Sequence, residues 1–389
     1  MSTSGGLRIL FVDDESKILD GLRRQLRPMR DQWDTRFAGS GAEALSLLEQ
    51  QPADVVVSDM RMPGMTGVEL LAQVYQRWPG VVRIVLSGQT DQADLLADIG
   101  VIHQFLQKPC DTETLRQSIV RTTGLARSIE CEALRKMVTG LKSLPVLARS
   151  LRELTDAMDS RDSDMGVISE IVGRDVGLST KLLQLVNSAF FGMPRRVSQL
   201  REAISLIGLK SLKEVAVAAH AFDAMASDGP DRAKIERLWT ISSDLAGAAG
   251  AAARKAGAGQ DAESRARLTA SLSLVGRAVL IRYASDLHGI AMAMAEEGRP
   301  LEVAEQTVIG VSHQVVGAYV LGLWAFDDEI VTAVSHQGDA NVPEGLAPTH
   351  PLHFLRAGRQ AVPAEQLHER YGPFGEAVSA MTSEAGVVA

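Results

Sequence analysis

Four short apolar segments in the first third of the chain each run directly into polar residues. The first ends at Asp13-Asp14, the second at Asp59, the third at Ser87 and the fourth at Lys108. The segments alternate with amphipathic helical patterns, an order that predicts parallel strands joined by right-handed crossovers. Because parallel strands place their carboxyl ends at one edge of a sheet, we expect these side chains to lie close together.

Five segments of this region have the length and the apolar content of β-strands, and the helical patterns between them each have one apolar face. The predicted strands are Arg8–Val12, Thr35–Ala38, Asp54–Ser58, Arg83–Leu86 and Ile102–Leu106. We therefore predict an α/β domain over residues 1–125, built on a doubly wound sheet of five parallel strands.

The pattern changes after about residue 125, where alanine- and leucine-rich helical periodicity replaces strand-like segments. Leu144, Leu147 and Leu151, for example, recur at spacings of three and four. This pattern predicts an all-α domain over residues 140–340, preceded by a linker helix over 126–139. Residues 341–389 are rich in proline, and we expect an irregular C-terminal tail with one short helix near Pro373–Met381.

Composition limits the classes of function. The net charge of -8 argues against a large basic surface for nucleic acid, so DNA is not an expected partner. Cys110 and Cys131 are the only cysteines, which excludes a disulfide framework or a multi-cysteine metal site. No apolar run approaches the roughly 20 residues needed to span a membrane, and residues 1–6 contain no apolar signal segment. We expect a cytoplasmic protein that does not bind membranes.

The first domain resembles the response-regulator receiver domain, which has a flavodoxin-like fold. The resemblance rests on the Asp13-Asp14 pair, Asp59, Ser87 and Lys108 at the ends of successive strands. It implies that Asp59 accepts a phosphoryl group from a sensor histidine kinase. It further implies that Mg²⁺ is held by Asp13, Asp14, Asp59 and the backbone carbonyl of Arg61. Such a donor set suits Mg²⁺, which prefers oxygen ligands and keeps several waters.

The same resemblance assigns roles in the conformational switch. Ser87 would rotate to hydrogen-bond the phosphoryl group, and Lys108 would pair with its oxygens as a point charge. Pro109 follows at a peptide bond that is often cis in the family. Phe105 occupies the position of the aromatic switch residue and carries no phenol for hydrogen bonding. The receiver face over 91–120 would serve as a docking surface or as the interface of a homodimer.

The second domain resembles the HD-related output domain, HDOD. The resemblance is carried by four segments, Gly140–Leu147, Ile171–Leu183, Leu185–Gly192 and Ala203–Gly208. Catalytic HD domains bind metal through histidines and a His-Asp pair, but Ser273-Leu274 stands in place of that pair here. His313 and His336 remain, and two histidines are too few for a catalytic metal site. We therefore expect no enzymatic activity and no cofactor in this domain.

Two alternatives remain open for the helical domain. It could act through contacts with an unknown downstream protein, or it could be a degenerate HD domain that binds or hydrolyses a cyclic dinucleotide or another nucleotide. Asn187 and Ser188 are candidate contact residues, although we favour a structural role for them because buried polar groups require hydrogen-bond partners.

Overall fold

The computed structural model describes residues 6–87, 101–142, 144–159, 164–187, 197–224, 230–339 and 342–361. The first domain contains a five-stranded parallel sheet in the order β2-β1-β3-β4-β5. Its strands are β1 Leu7–Val12, β2 Trp33–Ala38, β3 Val55–Asp59, β4 Val82–Ser87 and β5 Gln104–Gln107. The predicted five-stranded, doubly wound parallel sheet is confirmed.

The central strands are buried along nearly their whole length because helices cover both faces of the sheet. Val55, Val56 and Ile84 have no exposed surface, whereas the edge strand β2 exposes Asp34. The helices of this domain are α1 Ser16–Gln25, α2 Gly41–Gln50, α3 Gly67–Arg77 and α4 Thr112–Arg127, with a 3₁₀ turn at Arg27–Met29.

The rest of the described chain is helical, which confirms the predicted all-α domain. Helix α5, Glu132–Thr139, occupies the predicted linker, and α4 and α5 are separate helices. The helices that follow are α6 Ala148–Asp159, α7 Met165–Arg174, α8 Val176–Val186, α9 Leu200–Ala224, α10 Pro230–Lys255, α11 Gln260–Leu272, α12 Val275–Tyr283, α13 Ser285–Glu296, α14 Leu301–Ile309, α15 His313–Leu323 and α16 Asp328–Ser335. Helix α9 bends at Gly208, whose φ is 76°. None of the described helices is long and apolar enough to cross a membrane.

The expectation of an irregular tail is wrong for one segment. Residues Pro351–Ala361 form helix α17, which packs against α10 and α11. Leu352 and Leu355 are fully buried, and the backbone of Gly358 lies so close to Ala249 that a Cβ would be 2.8 Å from the Ala249 nitrogen. The helical domain therefore extends beyond residue 340. The helix predicted near Pro373–Met381 lies outside the described residues.

The two domains pack against each other through the last strand and the last helix of the receiver-like domain. Helix α4 lies against α15, where Gly322 approaches Leu125 so closely that a Cβ at Gly322 would be 2.7 Å from the Leu125 Cδ1. Phe105 on β5 belongs to a buried apolar cluster that includes Leu185 of α8 and Val215 of α9. The face predicted to form a homodimer is thus partly covered by the chain's own helical domain, whereas Glu113, Gln117 and Val120 of that face are exposed. Residues 91–100 of that face lie outside the described part.

Candidate functional site

Two carboxylates and one ammonium meet at the carboxyl edge of the sheet. Lys108 Nζ donates to Asp13 Oδ2 at 2.8 Å and forms an ion pair with Asp59 Oδ1. Asp13 is 2% exposed and Asp59 is 9% exposed, so both carboxylates lie largely out of water. The first, third and fifth strands thus deliver their polar residues to one place, as the sequence predicted.

The loop after Asp59 is held by backbone hydrogen bonds and by a helix cap. Gly67 N donates to the Met60 carbonyl at 2.9 Å, and a Cβ at Gly67 would overlap the Asp59 carbonyl oxygen. Thr66 and Glu69 form a capping box at the start of α3. The Arg61 amide donates to Asp59 Oδ2 at 3.0 Å. Asp59 Oδ2 is therefore engaged by the backbone, while Oδ1 faces Lys108.

Ser87 and Phe105 lie on the neighbouring strands, where the resemblance placed them. Ser87 ends β4 one residue beyond Leu86, the register partner of Asp59, and it is 2% exposed. The Lys108 amide donates to the Ser87 carbonyl at 2.8 Å, and the Lys108–Pro109 peptide bond is cis, as expected. Phe105 is buried, which agrees with an inward aromatic residue.

The formal charge of this cluster is negative, because one ammonium faces two carboxylates. Burial alone would lower the pKa of Lys108, but its hydrogen bonds to Asp13 and Asp59 outweigh burial and raise that pKa. Lys108 therefore stays protonated. Clustered carboxylate oxygens with residual negative charge are suitable ligands for Mg²⁺. Asp14 is exposed at the rim, and within the described ranges no group of three or more His, Cys, Asp or Glu residues is arranged to hold a metal. Coordination by Asp13, Asp14, Asp59 and Arg61 remains a prediction.

Gln104 connects β5 to the helical domain. Its amide nitrogen donates to the Gly322 carbonyl of α15 at 2.9 Å and to Thr122 Oγ1 of α4 at 2.9 Å. Its amide oxygen accepts a hydrogen bond from Ser118. Gln104 is only 2% exposed, so these bonds satisfy a buried polar group. Strand β5, which leads to Lys108 at the carboxyl edge of the sheet, therefore has a direct polar contact with the second domain.

Thr139, the last residue of α5, is a second junction between the domains. Its carbonyl accepts from Arg83 Nη2 at 3.1 Å and from His103 Nε2 at 2.8 Å, both in the sheet domain. Its hydroxyl donates to the Arg135 carbonyl, so it can only accept from Tyr319 Oη of α15, 2.7 Å away. Burial lowers the pKa of Arg83 to about 10 and lowers the pKa of His103 well below its usual value.

The position of the lost HD pair contains no arrangement of metal ligands. Ser273 Oγ donates to the Ala270 carbonyl, Leu274 is fully buried, and Gln337 donates to the Ser273 carbonyl at 2.9 Å. His336 lies apart, with its Nδ1 within 2.9 Å of the Thr332 carbonyl. The polar groups of Ser273, Gln337 and His336 thus form hydrogen bonds within the protein.

His313 has partners that sequence reasoning missed. Its amide and its Nδ1 lie 2.8 Å and 2.6 Å from Glu305 Oε2, and His288 Nδ1 lies 3.4 Å from Glu305 Oε1. Burial opposes the charge on Glu305, but the two histidines outweigh it and hold the pKa of Glu305 far below its usual value. Glu305 and His313 are eight residues apart in the sequence, and they meet only because the chain turns between α14 and α15. No pattern in the sequence indicated that turn.

Asn187 is a structural residue in this fold. Its side-chain amide donates to the Val197 carbonyl at 2.8 Å, and its side-chain oxygen accepts from the Val197 amide at 2.7 Å. These two bonds clamp the ends of the segment between the two residues. The structural role that we favoured for Asn187 therefore agrees with its contacts, whereas Ser188 lies outside the described residues.

Comparison with protein families identifies both domains. The family model described as the response regulator receiver domain matches residues 9–120, and the model described as the HDOD domain matches residues 144–340. The chain therefore belongs to the HDOD family and is a response regulator in which a receiver domain is fused to an HDOD domain. Receiver domains typically bind Mg²⁺ and receive their phosphoryl group from a histidine kinase. The receiver domain of this chain therefore implies a histidine kinase as a partner.

Individual relatives cover parts of the chain. The hydrogenase transcriptional regulatory protein HoxA of Cupriavidus necator is 38% identical over 155 residues, which are 39% of this chain and 31% of that protein. An uncharacterized protein of Treponema pallidum is 26% identical over 59% of this chain and 42% of its own length. The chain thus spans less than half of the length of either relative.

Solved structures also resemble the chain. The structure of the MmoQ response regulator of Methylococcus capsulatus str. Bath aligns with 61% of this chain and with 97% of the MmoQ chain, with 18% identity and a TM-score of 0.46. The receiver domain of an HD domain-containing protein from Pseudomonas fluorescens Pf-5 is 31% identical over 31% of this chain and 88% of its own, with a TM-score of 0.28.

Proposed function

We propose that Asp59 accepts a phosphoryl group from a sensor histidine kinase and thereby switches a non-catalytic HDOD domain that acts through protein contacts. The observation that carries the proposal is the bridge from Lys108 to Asp13 and Asp59 at the carboxyl edge of the sheet. A half-buried ammonium between two carboxylates is a site prepared for additional negative charge beside a cation.

The geometry favours one oxygen of Asp59 as the nucleophile. Because Oδ2 is held by the Arg61 amide, Oδ1 would form the bond to phosphorus as the bond to the kinase histidine breaks. Lys108 would then move from the carboxylate to the phosphoryl oxygens, and the Ser87 hydroxyl would donate to one of them. Asp13, Asp59 and the Arg61 carbonyl, with Asp14 at the rim, would hold Mg²⁺, which neutralises charge on the phosphoryl group.

The path to the output domain would run along β5. Phe105 and Gln104 are adjacent on this strand, and each takes part in the contact with the helical domain. A displacement of β5 that follows movement of Ser87 would weaken both contacts. To change the docked fraction from 99% to 1%, phosphorylation must favour the released arrangement by about 5.5 kcal/mol. Release would uncover the face over 101–120 for a downstream protein or for a second copy.

A non-catalytic role for the HDOD domain is supported by the residues at the lost HD pair. Ser273 and Leu274 offer neither an imidazole nor a carboxylate, and the Gln337 side chain donates to the Ser273 carbonyl. The rival proposal, cleavage of a cyclic dinucleotide, needs an open metal position with three protein ligands. Purified protein incubated with a cyclic dinucleotide and Mn²⁺ tests this directly, and turnover above that of a heat-inactivated control would overturn the non-catalytic proposal.

The phosphorylation step is tested by intact-mass spectrometry after incubation with acetyl phosphate and Mg²⁺. We expect the full chain to gain the mass of one phosphoryl group and Asp59→Asn to gain none. Asp34→Asn serves as the control, because Asp34 is an exposed carboxylate on the edge strand β2. Modification that persists in Asp59→Asn would refute the assignment of the phosphoacceptor.

A further inference from the structure

A cavity of about 700 Å³ lies at the amino edge of the sheet, opposite the phosphoacceptor edge. Leu7 and Val82 at the starts of β1 and β4, together with Asp54 just before β3, form its floor. Asp54 directly precedes β3 and Asp59 ends it, five residues further on, so the cavity is about 16 Å from the phosphoacceptor. Its volume is within the range of small-molecule binding sites.

The walls of this cavity come from three parts of the chain. Thr123 and Arg127 belong to α4, Arg135 belongs to the linker helix α5, and Tyr319 belongs to α15 of the HDOD domain. The cavity therefore exists only while the receiver, the linker and the HDOD domain keep this arrangement. Tyr319 is only 1% exposed, so a ligand would contact mainly the receiver and α5, whose Thr139 is hydrogen-bonded to Tyr319.

The lining of the cavity is basic although the protein is acidic. Arg8, Arg127 and Arg135 contribute three positive charges and Asp54 contributes one negative charge, whereas the chain as a whole carries a net charge of -8. A concave surface of opposite sign to the rest of the protein concentrates an anionic ligand.

The three guanidinium groups differ in how much of their capacity is already used. Arg8 is paired with Asp54, with Nη2 2.9 Å from Oδ1 and Nε 3.4 Å from Oδ2. Among the described residues, the Arg135 side chain makes one hydrogen bond, from Nη1 to the Ile129 carbonyl at 3.3 Å, and its charge also acts on the Glu132 carboxylate. Arg127 is exposed, and with the rest of the described chain its side chain makes no hydrogen bond or ion pair. Arg127 and Arg135 thus line the cavity with guanidinium groups that keep most of their donors for a ligand. Arginine suits phosphate because its donors are arranged as a planar fork.

An adjoining cavity of about 430 Å³ extends the site. It shares Leu7, Thr123 and Arg127 with the larger cavity and adds the indole of Trp33. It also adds Asp31, which lies on the solvent side within 3.8 Å of Arg30. The positive charge is therefore concentrated in the larger cavity, and the extension has a more apolar wall beside Trp33. Together they offer a basic end for a phosphate and space for an organic group.

We propose that this interdomain cavity binds a small organic phosphate of about the size of a nucleoside monophosphate, with Arg127 and Arg135 holding the phosphate. The ligand would stabilise the docked arrangement because it bridges the receiver and the linker helix α5, which packs against α15 of the HDOD domain. By linkage, anything that separates the domains weakens its binding by the same factor. The site is distinct from Asp59, so the proposal does not depend on phosphorylation of Asp59.

The test is isothermal titration of the full chain with a panel of nucleoside monophosphates and sugar phosphates, with inorganic phosphate and the matching nucleosides as separate arms. We expect at least one organic phosphate to bind. We expect the Arg127→Glu and Arg135→Ala variants to bind it at least tenfold more weakly. Binding by inorganic phosphate with the same affinity would show that the organic group contributes nothing, and would overturn the proposed size class.

The matched control is Arg24→Glu, because Arg24 is exposed on α1 and does not line either cavity. Wild-type affinity is expected in this variant, which has the same charge change as Arg127→Glu. Titration of Asp59→Asn separates this proposal from the phosphorylation proposal, because binding should persist there. Failure of every organic phosphate in the panel to bind at millimolar concentration, or equal loss in Arg24→Glu and Arg127→Glu, would overturn the site.

Discussion

Replacement of Gln104 by leucine tests whether β5 holds the receiver against the HDOD domain. The substitution removes three side-chain hydrogen bonds, with Gly322, Thr122 and Ser118, while nearly preserving volume. At about 1 kcal/mol each, the loss is about 3 kcal/mol. The more apolar leucine offsets about 1 kcal/mol of this. We expect the free energy of unfolding to fall by about 2 kcal/mol.

One of the three bonds crosses between the domains, and it determines the effect on docking. The loss of about 1 kcal/mol at Gly322 should increase the released fraction about fivefold. Urea unfolding measures the total loss, and hydrogen exchange at the end of α15 measures the release. Backbone amides at the end of α15 should exchange faster in Gln104→Leu than in the wild type, because the released arrangement is more populated.

The control is Gln107→Leu, on the same strand. Gln107 is half-buried and, among the described residues, its side chain makes no hydrogen bond. Equal changes in unfolding free energy and in exchange at α15 in Gln104→Leu and Gln107→Leu would refute a specific role for the Gln104 hydrogen bonds. A loss of stability in Gln104→Leu without faster exchange at α15 would show that only the bonds inside the receiver carry energy.

Three further predictions concern the loop, the linker and pH. Gly67→Ala should lower the unfolding free energy by about 1–3 kcal/mol, because a Cβ would overlap the Asp59 carbonyl. The same variant should be labelled more slowly by acetyl phosphate. Unchanged stability and unchanged labelling would contradict this prediction. Tyr319→Phe should cost about 1 kcal/mol in urea unfolding, because it removes the donor to Thr139, and a neutral result would mean that water replaces that bond. Burial holds the pKa of His103 well below its usual value, so only the unfolded chain gains this proton below about pH 6.5. Stability should therefore fall by about 1.4 kcal/mol between pH 7 and pH 5.5, and a flat urea-unfolding profile over that range would count against a neutral His103.

Much of the receiver could be predicted because local rules are sufficient there. Short apolar strands alternate with helices, and parallel strands must place their polar ends at one edge, so Asp13, Asp59 and Lys108 could be brought together without coordinates. The predicted strands differ from the observed ones by at most two residues at either end, where side-chain patterns carry little information. The cis peptide at Pro109 came from the family resemblance, since no local pattern would have indicated it.

The features that were missed depend on contacts between distant segments. Helix α17 was missed because its apolar side is short and follows a proline-rich segment, and it is stabilised by packing on α10. The Glu305–His313 pair needs the turn between α14 and α15. The docking of Gln104 on Gly322 joins residues that are 218 positions apart, and no periodicity in the sequence reports on such a pair.

The central claim is that modification of Asp59 releases the HDOD domain from the receiver. The most direct measurement is small-angle X-ray scattering of the full chain with and without beryllofluoride and Mg²⁺, for the wild type and for Asp59→Asn. We predict a larger radius of gyration, or a change of oligomeric state, in the wild type alone. No change in the wild type, with bound beryllofluoride demonstrated by fluorine NMR, would contradict the claim.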